Sequence, residues 1–231
     1  MPRFILWDVD GTLISTGGIG RLALESGAKR AGRLDAVPHV VMSGKTDPQI
    51  VREILTASGM EAADIAAVLP AALEEAERVL LAESGRMLAE GRAHRGVREL
   101  LKALAATDGV RQSLLTGNTA PNALEKVRIF GFESYFDFRI GAYGTDHPDR
   151  DCLVPIALGR ARELRGSDYR QDEVWVIGDT ARDLSCARAA GVRCLIVGTG
   201  HNGPEAVREL EADALAMDLA NTEQILRTLL S

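Results

Sequence analysis

The chain has 231 residues, of which 46% are hydrophobic, and its formal net charge is −6. This length and apolar content suffice for a sizeable core and a smaller accessory domain. The acidic balance argues against a nucleic-acid-binding protein, which usually presents a basic face. Three cysteines without Cys-x-x-Cys spacing argue against a disulfide framework or a zinc site and fit a reducing cytoplasm. The sequence enters a predicted strand at once and has no apolar run long enough to span a membrane, so we expect neither a signal peptide nor a membrane span.

Short apolar runs that end in Gly, Thr or Asp predict buried β-strands. The predicted strands are residues 4–7, 110–115, 136–140, 174–177 and 194–197. Helical patterns separate the later strands, at residues 120–129, 153–164 and 181–190. This alternation predicts an α/β fold with a doubly wound, mostly parallel sheet, and such sheets bind ligands at the carboxyl ends of their strands.

The stretch after the first predicted strand has a different character, because residues 16–90 contain no convincing strand. Helical patterns there cover residues 21–32, 47–59 and 62–91. A helical module at this point predicts an inserted cap over residues 16–90, with residues 1–15 and 91–231 forming the core. Glycine-containing linkers at residues 15–20 and 90–96 suit a hinge, although helix-to-loop turns explain the glycines equally well.

Two carboxylates follow the first strand, in the sequence FILWDVDGT. Asp8 and Asp10 are two residues apart, so in an extended chain they point to the same face, roughly 7 Å apart. At an effective dielectric constant near 20 their repulsion is about 2–3 kcal/mol, which a nearby positive charge must compensate. Turn formation before Gly11 is the alternative explanation for these acids.

A second pair of acids repeats this arrangement after the strand at residues 174–177. Asp179 follows Gly178, and Asp183 lies one helical turn later. Capping of the following helix accounts for one acid, but not for four acids at two strand ends. Clustered oxygen ligands suit a hard cation, and beside a phosphate the natural choice is Mg²⁺.

A third polar group ends the strand at residues 110–115. The sequence SLLTGNT brings Thr116, Gly117 and Asn118 to the same edge of the sheet. A hydroxyl and free backbone N–H groups at the head of a helix form an anion-binding site, so these residues are candidates for binding a phosphoryl group. Capping of the next helix by Thr116 is the alternative.

The segments DVDGT, LLTGN and GDTARD, in this order and at these strand ends, resemble the motifs of the haloacid dehalogenase superfamily of hydrolases. The resemblance covers essentially the whole chain. It is to the subgroup with a helical cap after the first motif, which includes phosphoglycolate-phosphatase-like and β-phosphoglucomutase-like proteins. It implies a Rossmann-like core, an inserted α-helical cap and Mg²⁺-dependent phosphoryl chemistry.

The resemblance also implies a role for each motif residue. Asp8 would be the nucleophile that forms an aspartyl phosphate, and Asp10 the general acid and then the base. Thr116 would hydrogen-bond a phosphoryl oxygen. Asp179 would bind Mg²⁺ together with the Asp8 carboxylate and the Asp10 backbone carbonyl, and Asp183 would lie close to the ion.

One motif of the family is missing. The family has a lysine before the helix that leads to the fourth strand, but residues 144–164 contain none. Arg150 is the best substitute, because a guanidinium can bridge a phosphate and the nucleophile as an ammonium does.

Two further segments resemble phosphate-binding loops. SGKTD, residues 43–47, ends like a nucleotide-binding loop, but position 39 is His where the pattern requires Gly. It resembles instead a cap segment that faces the active site in related hydrolases, so Lys45 is a candidate substrate-binding residue, with a solvated lysine as the alternative.

GTGHNG, residues 198–203, is followed by too little chain for a dinucleotide domain, and a glycine loop holding His201 is the simpler interpretation.

The implied function is Mg²⁺-dependent hydrolysis of a small phosphorylated metabolite by a monomer or homodimer that binds neither nucleic acid nor membrane. The alternatives are phosphonoacetaldehyde hydrolysis through a Schiff base on Lys45, phosphomutase activity, and a non-catalytic phosphate-binding protein. A dehalogenase is disfavoured, because that branch needs no metal and generally lacks the second acid and the GDxxxD pair that this chain has.

Overall fold

The computed structural model describes residues 2–166, 168–200 and 203–231. The strands are β1 (Arg3–Trp7), β2 (Ile14–Ser15), β3 (Arg92–Ala93), β4 (Val110–Thr116), β5 (Ala142–Tyr143), β6 (Val174–Gly178), β7 (Arg193–Val197) and β8 (Ala214–Ala216). The helices are α1 (Ile19–Gly32), α2 (Asp47–Ala57), α3 (Ala62–Ala82), α4 (Ser84–Glu90), α5 (Val97–Ala105), α6 (Ala120–Ile129), α7 (Leu153–Arg165), α8 (Ala181–Ala189), α9 (Gly203–Arg208) and α10 (Thr222–Leu230).

Six parallel strands form the central sheet, in the order β5-β4-β1-β6-β7-β8. The apolar run of β1 is buried throughout and alternates between two faces. Ile5 and Trp7 belong to one apolar cluster, and Phe4 and Leu6 belong to another. Both faces of the sheet are therefore covered, which confirms the predicted doubly wound, Rossmann-like core. Because β4 and β6 lie on either side of β1, the loops after these three strands meet at one edge.

The predicted strand at residues 136–140 is wrong. Phe138–Ile140 form a short 3₁₀ helix, and the edge strand is β5, which starts two residues later. The Asp137 side chain accepts a hydrogen bond from the backbone N–H of Arg139, which favours the turn over an extended chain. The edge strand β8 was not predicted, because three residues give too little periodicity.

The inserted segment has an apolar core of its own. Helices α1, α2 and α3 pack together through buried side chains, among them Ala28, Ile54 and Ala76. Gly27 lets α1 approach α3 closely, since a Cβ there would overlap the backbone of Ala72. The two connections to the sheet run antiparallel, because β2 pairs with β3. The structure thus has the inserted helical cap that the sequence predicted.

No helix among the described residues is both long enough and apolar enough to cross a membrane.

Candidate active site

Asp8 lies directly after β1 and is almost fully buried, with 5% of the residue exposed. The guanidinium of Arg150 pairs with it, with Nη2 3.0 Å from Asp8 Oδ1. Burial raises the pKa of Asp8 to about 6; Arg150 lowers it, and the carboxylates of Asp183 and Asp10 raise it further. A buried carboxylate at this position therefore requires more positive charge than one arginine supplies.

Asp8, Asp179 and Asp183 form a compact acidic cluster. Each offers a carboxylate oxygen, and these three atoms lie within 4.8 Å of one another. Burial, followed by the charges of Asp8 and Asp183, raises the pKa of Asp179 well above its ordinary value. Three buried carboxylates around one small volume are the donor set that a hard divalent cation such as Mg²⁺ prefers.

Two glycines make room for the carboxylate of Asp179. A Cβ at Gly11 or at Gly200 would overlap it. Thr12 donates a hydrogen bond to Asp179 Oδ1 at 3.2 Å, and Thr199 donates one to the Gly11 carbonyl at 2.6 Å. The glycine loop after β7 therefore closes the site around Asp179, while His201, in the same loop, lies outside the described residues.

Asp183 has two roles in the structure, and the helix-capping explanation accounts for only one of them. Its Oδ2 accepts hydrogen bonds from the backbone N–H and the hydroxyl of Thr180, at 3.0 and 2.7 Å, which forms a capping box at the start of α8. Its Oδ1 pairs with Arg150. Both carboxylate oxygens are therefore engaged, and Asp183 orients Arg150 toward Asp8.

Arg150 reaches the site from a 3₁₀ turn, Arg150–Cys152, that precedes α7. Its side chain is 5% exposed. Burial opposes its positive charge, but the carboxylates of Asp183 and Asp8 more than offset this and raise the pKa of Arg150. The guanidinium is thus a permanently charged group beside the candidate nucleophile, at the place where the sequence lacks the family lysine.

The carboxylate of Asp10 lies apart from the acidic cluster. Lys126 Nζ is 2.6 Å from Asp10 Oδ2, and Asn118 Nδ2 donates to the same oxygen at 2.7 Å. Lys126 also donates to Asn118 Oδ1 at 2.5 Å. The repulsion expected between Asp8 and Asp10 is therefore relieved by a separate cation for each acid.

Lys126 was not predicted from the sequence. It lies on α6 and is buried, with 3% of the residue exposed. The available signal was its spacing, since Thr119, Asn122 and Lys126 recur at intervals of three and four residues and so share one helix face. That face points toward the site because Asn122 and Lys126 line the same cavity.

Thr116 does not cap the helix that follows it. Thr119 caps α6 instead, since its hydroxyl accepts from the backbone N–H of Asn122. The Thr116 hydroxyl accepts from Asn118 Nδ2 at 2.8 Å and from the Asn118 backbone N–H at 3.3 Å. Thr116 and Asn118 therefore form one hydrogen-bonded unit with Asp10 at the end of β4.

The cap loop before α2 packs against this unit. The backbone N–H of Asp47 donates to the Gly117 carbonyl at 2.7 Å, and a Cβ at Gly117 would overlap the backbone of Lys45. Lys45 lines the cavity, but its ammonium is ion-paired with Glu53 of α2, and its side chain is 13% exposed. It is therefore neither the solvated lysine of the alternative interpretation nor an unpaired cation.

Asp47 is a buried carboxylate where the cap meets the core. Its Oδ2 accepts from the backbone N–H of Thr119 at 2.9 Å and from Asn122 Nδ2 at 3.3 Å. Burial raises its pKa to about 6; Lys126 and the bond from Thr119 lower it, and Asp10 raises it. A native pKa above the unfolded value of 3.8 means that the native state binds the proton more tightly. The contribution of the protonated Asp47 carboxyl to the free energy of unfolding is therefore fully present below about pH 4 and is lost as the pH rises through 6.

We expect Asp47→Asn to raise the free energy of unfolding at pH 8 by about 2 kcal/mol, because the variant avoids the penalty for ionising a buried carboxyl. The loss of a favourable interaction with the dipole of α2 offsets only part of this gain. The difference should vanish near pH 4. Urea unfolding at both pH values measures it, with Asp64→Asn, an exposed acid in the first turn of α3, as the matched control. Equal differences at the two pH values would contradict the assignment.

A cavity of about 460 Å³ lies over the acidic cluster, between the cap and the carboxyl edge of the sheet. Its core-side lining includes Asp8, Asp10, Thr116, Asn118 and Asp179. The structure thus brings these five predicted residues to one cavity, which Arg150 and the cap loop also line.

Comparisons with known proteins agree with this arrangement. The family model described as haloacid dehalogenase-like hydrolase matches residues 5–188. Similar curated proteins include the phosphoglycolate phosphatases of Pseudomonas fluorescens strain Pf0-1, 30% identical over 94% of this chain and 77% of that protein, and of Nitrosospira multiformis, 26% identical over 97% of this chain and 96% of that protein. The crystal structure of a hydrolase from Pseudomonas syringae is similar in fold, with a TM-score of 0.70 at 18% identity over 98% of each chain.

The matched family segment begins in β1 and ends in α8, so it spans the strands and loops that bring Asp8, Thr116 and Asp179 together. On the strength of that match, and of the phosphatases among its relatives, the protein belongs to the haloacid dehalogenase-like hydrolase family and is a hydrolase of the phosphatase type.

Proposed function

We propose that the protein is a Mg²⁺-dependent phosphatase that hydrolyses a small phosphomonoester through an aspartyl phosphate on Asp8. The observation that carries this proposal is the pairing of buried Asp8 with Arg150 inside the acidic cluster. A buried, ionised carboxylate held next to a cation on the lining of a cavity is an activated nucleophile facing an anion-binding site.

In the first step, an oxygen of Asp8 attacks phosphorus and the bond to the leaving oxygen breaks. Arg150, 3.0 Å from Asp8 Oδ1, can reach a phosphoryl oxygen as the group transfers to the carboxylate. The Thr116 hydroxyl, which accepts from Asn118, is free to turn its own proton toward another phosphoryl oxygen. These contacts neutralise charge on the equatorial oxygens during transfer.

Asp10 is the proposed general acid and base. It gives a proton to the leaving oxygen and later takes one from the water that attacks the phosphoaspartate, which releases phosphate and restores Asp8. Lys126 and Asn118 hold the carboxylate by one oxygen, Oδ2. Because that oxygen is engaged, Oδ1 is the one that exchanges the proton.

The residues present fit a Mg²⁺ ion. Asp8 and Asp179 would hold it through carboxylate oxygens and Asp10 through its backbone carbonyl, while Asp183, whose oxygens are bound by Thr180 and Arg150, would face it indirectly. When bound, Mg²⁺ supplies charge neutralisation for the phosphoryl group and keeps the nucleophile ionised.

The alternatives gain less support. A Schiff base forms from a neutral amine, whereas Lys45 is held in an ion pair with Glu53 that stabilises its charged form. A non-catalytic phosphate-binding protein has a use for Arg150 but not for the Asp8 carboxylate 3.0 Å from that guanidinium, because a carboxylate there repels a phosphate. We further propose that residues 1–15 and 91–231 are the catalytic core, that residues 16–90 are the cap, and that the enzyme is a cytoplasmic monomer or homodimer, its three cysteines being free thiols.

The proposal is tested by hydrolysis of 4-nitrophenyl phosphate in Mg²⁺ and after chelation with EDTA. We expect phosphate release with Mg²⁺, its loss on chelation, and its return when Mg²⁺ is added back. Full activity in EDTA would contradict the metal assignment, and no release of phosphate from any of a panel of phosphorylated metabolites would contradict the proposed function.

A further inference from the structure

The cations that line the cavity are already neutralised. In the described part of the chain, four Lys and Arg side chains line it, and each is ion-paired with a carboxylate: Arg21 with Glu25, Lys45 with Glu53, Lys126 with Asp10, and Arg150 with Asp8 and Asp183. Asp47 and Asp179 add two further carboxylates to the lining. The solvent-exposed His39 is the other ionisable group of basic type on the lining. Without Mg²⁺, the charge around the cavity is therefore predominantly negative.

Arg21 and Lys45 are the cap cations on this lining: Arg21 pairs with Glu25 in a partly exposed i,i+4 pair, and Glu53 masks the more buried Lys45. Gln49 Nε2 donates to Glu53 Oε1 at 3.1 Å, which fixes the carboxylate while its other oxygen binds Lys45. The side chain of Lys45 is 13% exposed and that of Glu53 is 35% exposed, so the ammonium is largely shielded from water while its partner carboxylate is partly hydrated. Separating the pair would leave the shielded ammonium of Lys45 without its charge partner, which costs free energy.

Beside Arg21, His39 and Ser43, the cap side of the cavity carries a group of apolar side chains. Leu24, Ile50 and Leu80 come from three different cap helices, and Val41 and Met42 come from the loop between α1 and α2. A leaving group that extends from the phosphoryl site toward the cap meets these side chains. Neutral or apolar groups gain from this contact, whereas a carboxylate loses its hydration without gaining a free cation.

We propose that the enzyme acts on phosphomonoesters whose leaving group carries no second anionic group, and that Glu53 sets this specificity by neutralising Lys45. The inference rests on the proposed phosphatase function. The phosphoryl dianion has its own compensation in Arg150 and Mg²⁺, but a carboxylate on the leaving group would meet Asp10, Asp47 or the closed Lys45–Glu53 pair. The preferred substrate therefore differs in charge from phosphoglycolate, the compound in the names of its curated relatives.

The test compares phosphoglycolate with phosphoglycolamide, which has the same shape but carries a neutral amide in place of the carboxylate. At pH 8 and saturating Mg²⁺, we expect the wild type to prefer the amide by roughly tenfold in kcat/KM, the value of one unpaired charge–charge contact. Glu53→Gln frees Lys45 and should shift the ratio of the two kcat/KM values toward phosphoglycolate by a similar factor. Adding Lys45→Met to that variant should reverse the shift.

Glu223→Gln is the matched control, because it removes the same charge from an exposed ion pair on α10 that does not line the cavity. It should leave the ratio unchanged. A wild type that prefers phosphoglycolate, or a folded Glu53→Gln variant whose ratio does not move, would overturn the inference. If the wild type hydrolyses no phosphomonoester, 4-nitrophenyl phosphate included, the proposed function fails, and calorimetric binding of the same two compounds to the wild type still decides the inference.

Discussion

Asp8→Asn is expected to lower kcat for 4-nitrophenyl phosphate by at least roughly 10⁴-fold, because loss of a nucleophile removes the covalent route altogether. The amide has nearly the same shape, so the fold should be retained. It also removes a buried charge whose pKa burial raises to about 6, so the free energy of unfolding at pH 8 should not fall. Activity is measured as phosphate release in saturating Mg²⁺, and stability by urea unfolding.

A second readout separates nucleophilic from electrostatic roles of Asp8. Acid-quenched wild-type enzyme should carry one added phosphoryl group by mass spectrometry, and the variant should carry none. Asp108→Asn is the control, since Asp108 is an exposed acid in the loop before β4, at the opposite edge of the sheet. A variant that keeps more than about a hundredth of the wild-type kcat would rule out Asp8 as the nucleophile.

Arg150→Met should impair both activity and stability. Removing one partner of a buried ion pair leaves its carboxylates uncompensated, which costs about 3–5 kcal/mol of the free energy of unfolding. Here Asp8 and Asp183 would both lose their cation. We also expect kcat to fall by roughly 10²–10³-fold, the usual effect of losing one group that stabilises transition-state charge.

Two further variants distinguish these effects. Arg150→Met combined with Asp183→Asn should recover part of the stability, because one buried charge is gone, without recovering kcat. Arg150→Lys keeps the charge and should retain more activity than Arg150→Met, although a single ammonium cannot reproduce the planar fork. If Arg150→Met keeps kcat within threefold of the wild type, Arg150 does not replace the missing family lysine.

The sequence by itself determined the sheet and the place of the site. The apolar runs of β1, β4, β6 and β7 carry enough β-branched and apolar side chains to be recognised locally, and each strand predicted at these places is present. Because parallel strands end at a common edge, it followed that Asp8, Thr116 and Asp179 lie near one another. The edge strands β5 and β8 were missed or misplaced, because two or three residues carry no periodicity.

Only the tertiary structure decided which charges meet. Asp8 and Asp10 are only two residues apart in sequence, yet Arg150 compensates one and Lys126 the other, across separations of more than one hundred residues. The masking of Lys45 by Glu53 likewise depends on how the cap loop packs against α2. The local sequence determines only where along the backbone a charged side chain is attached. An ion pair joins side chains that are close in space, so the partner of each charged residue depends on how distant segments pack and on the burial that this packing creates.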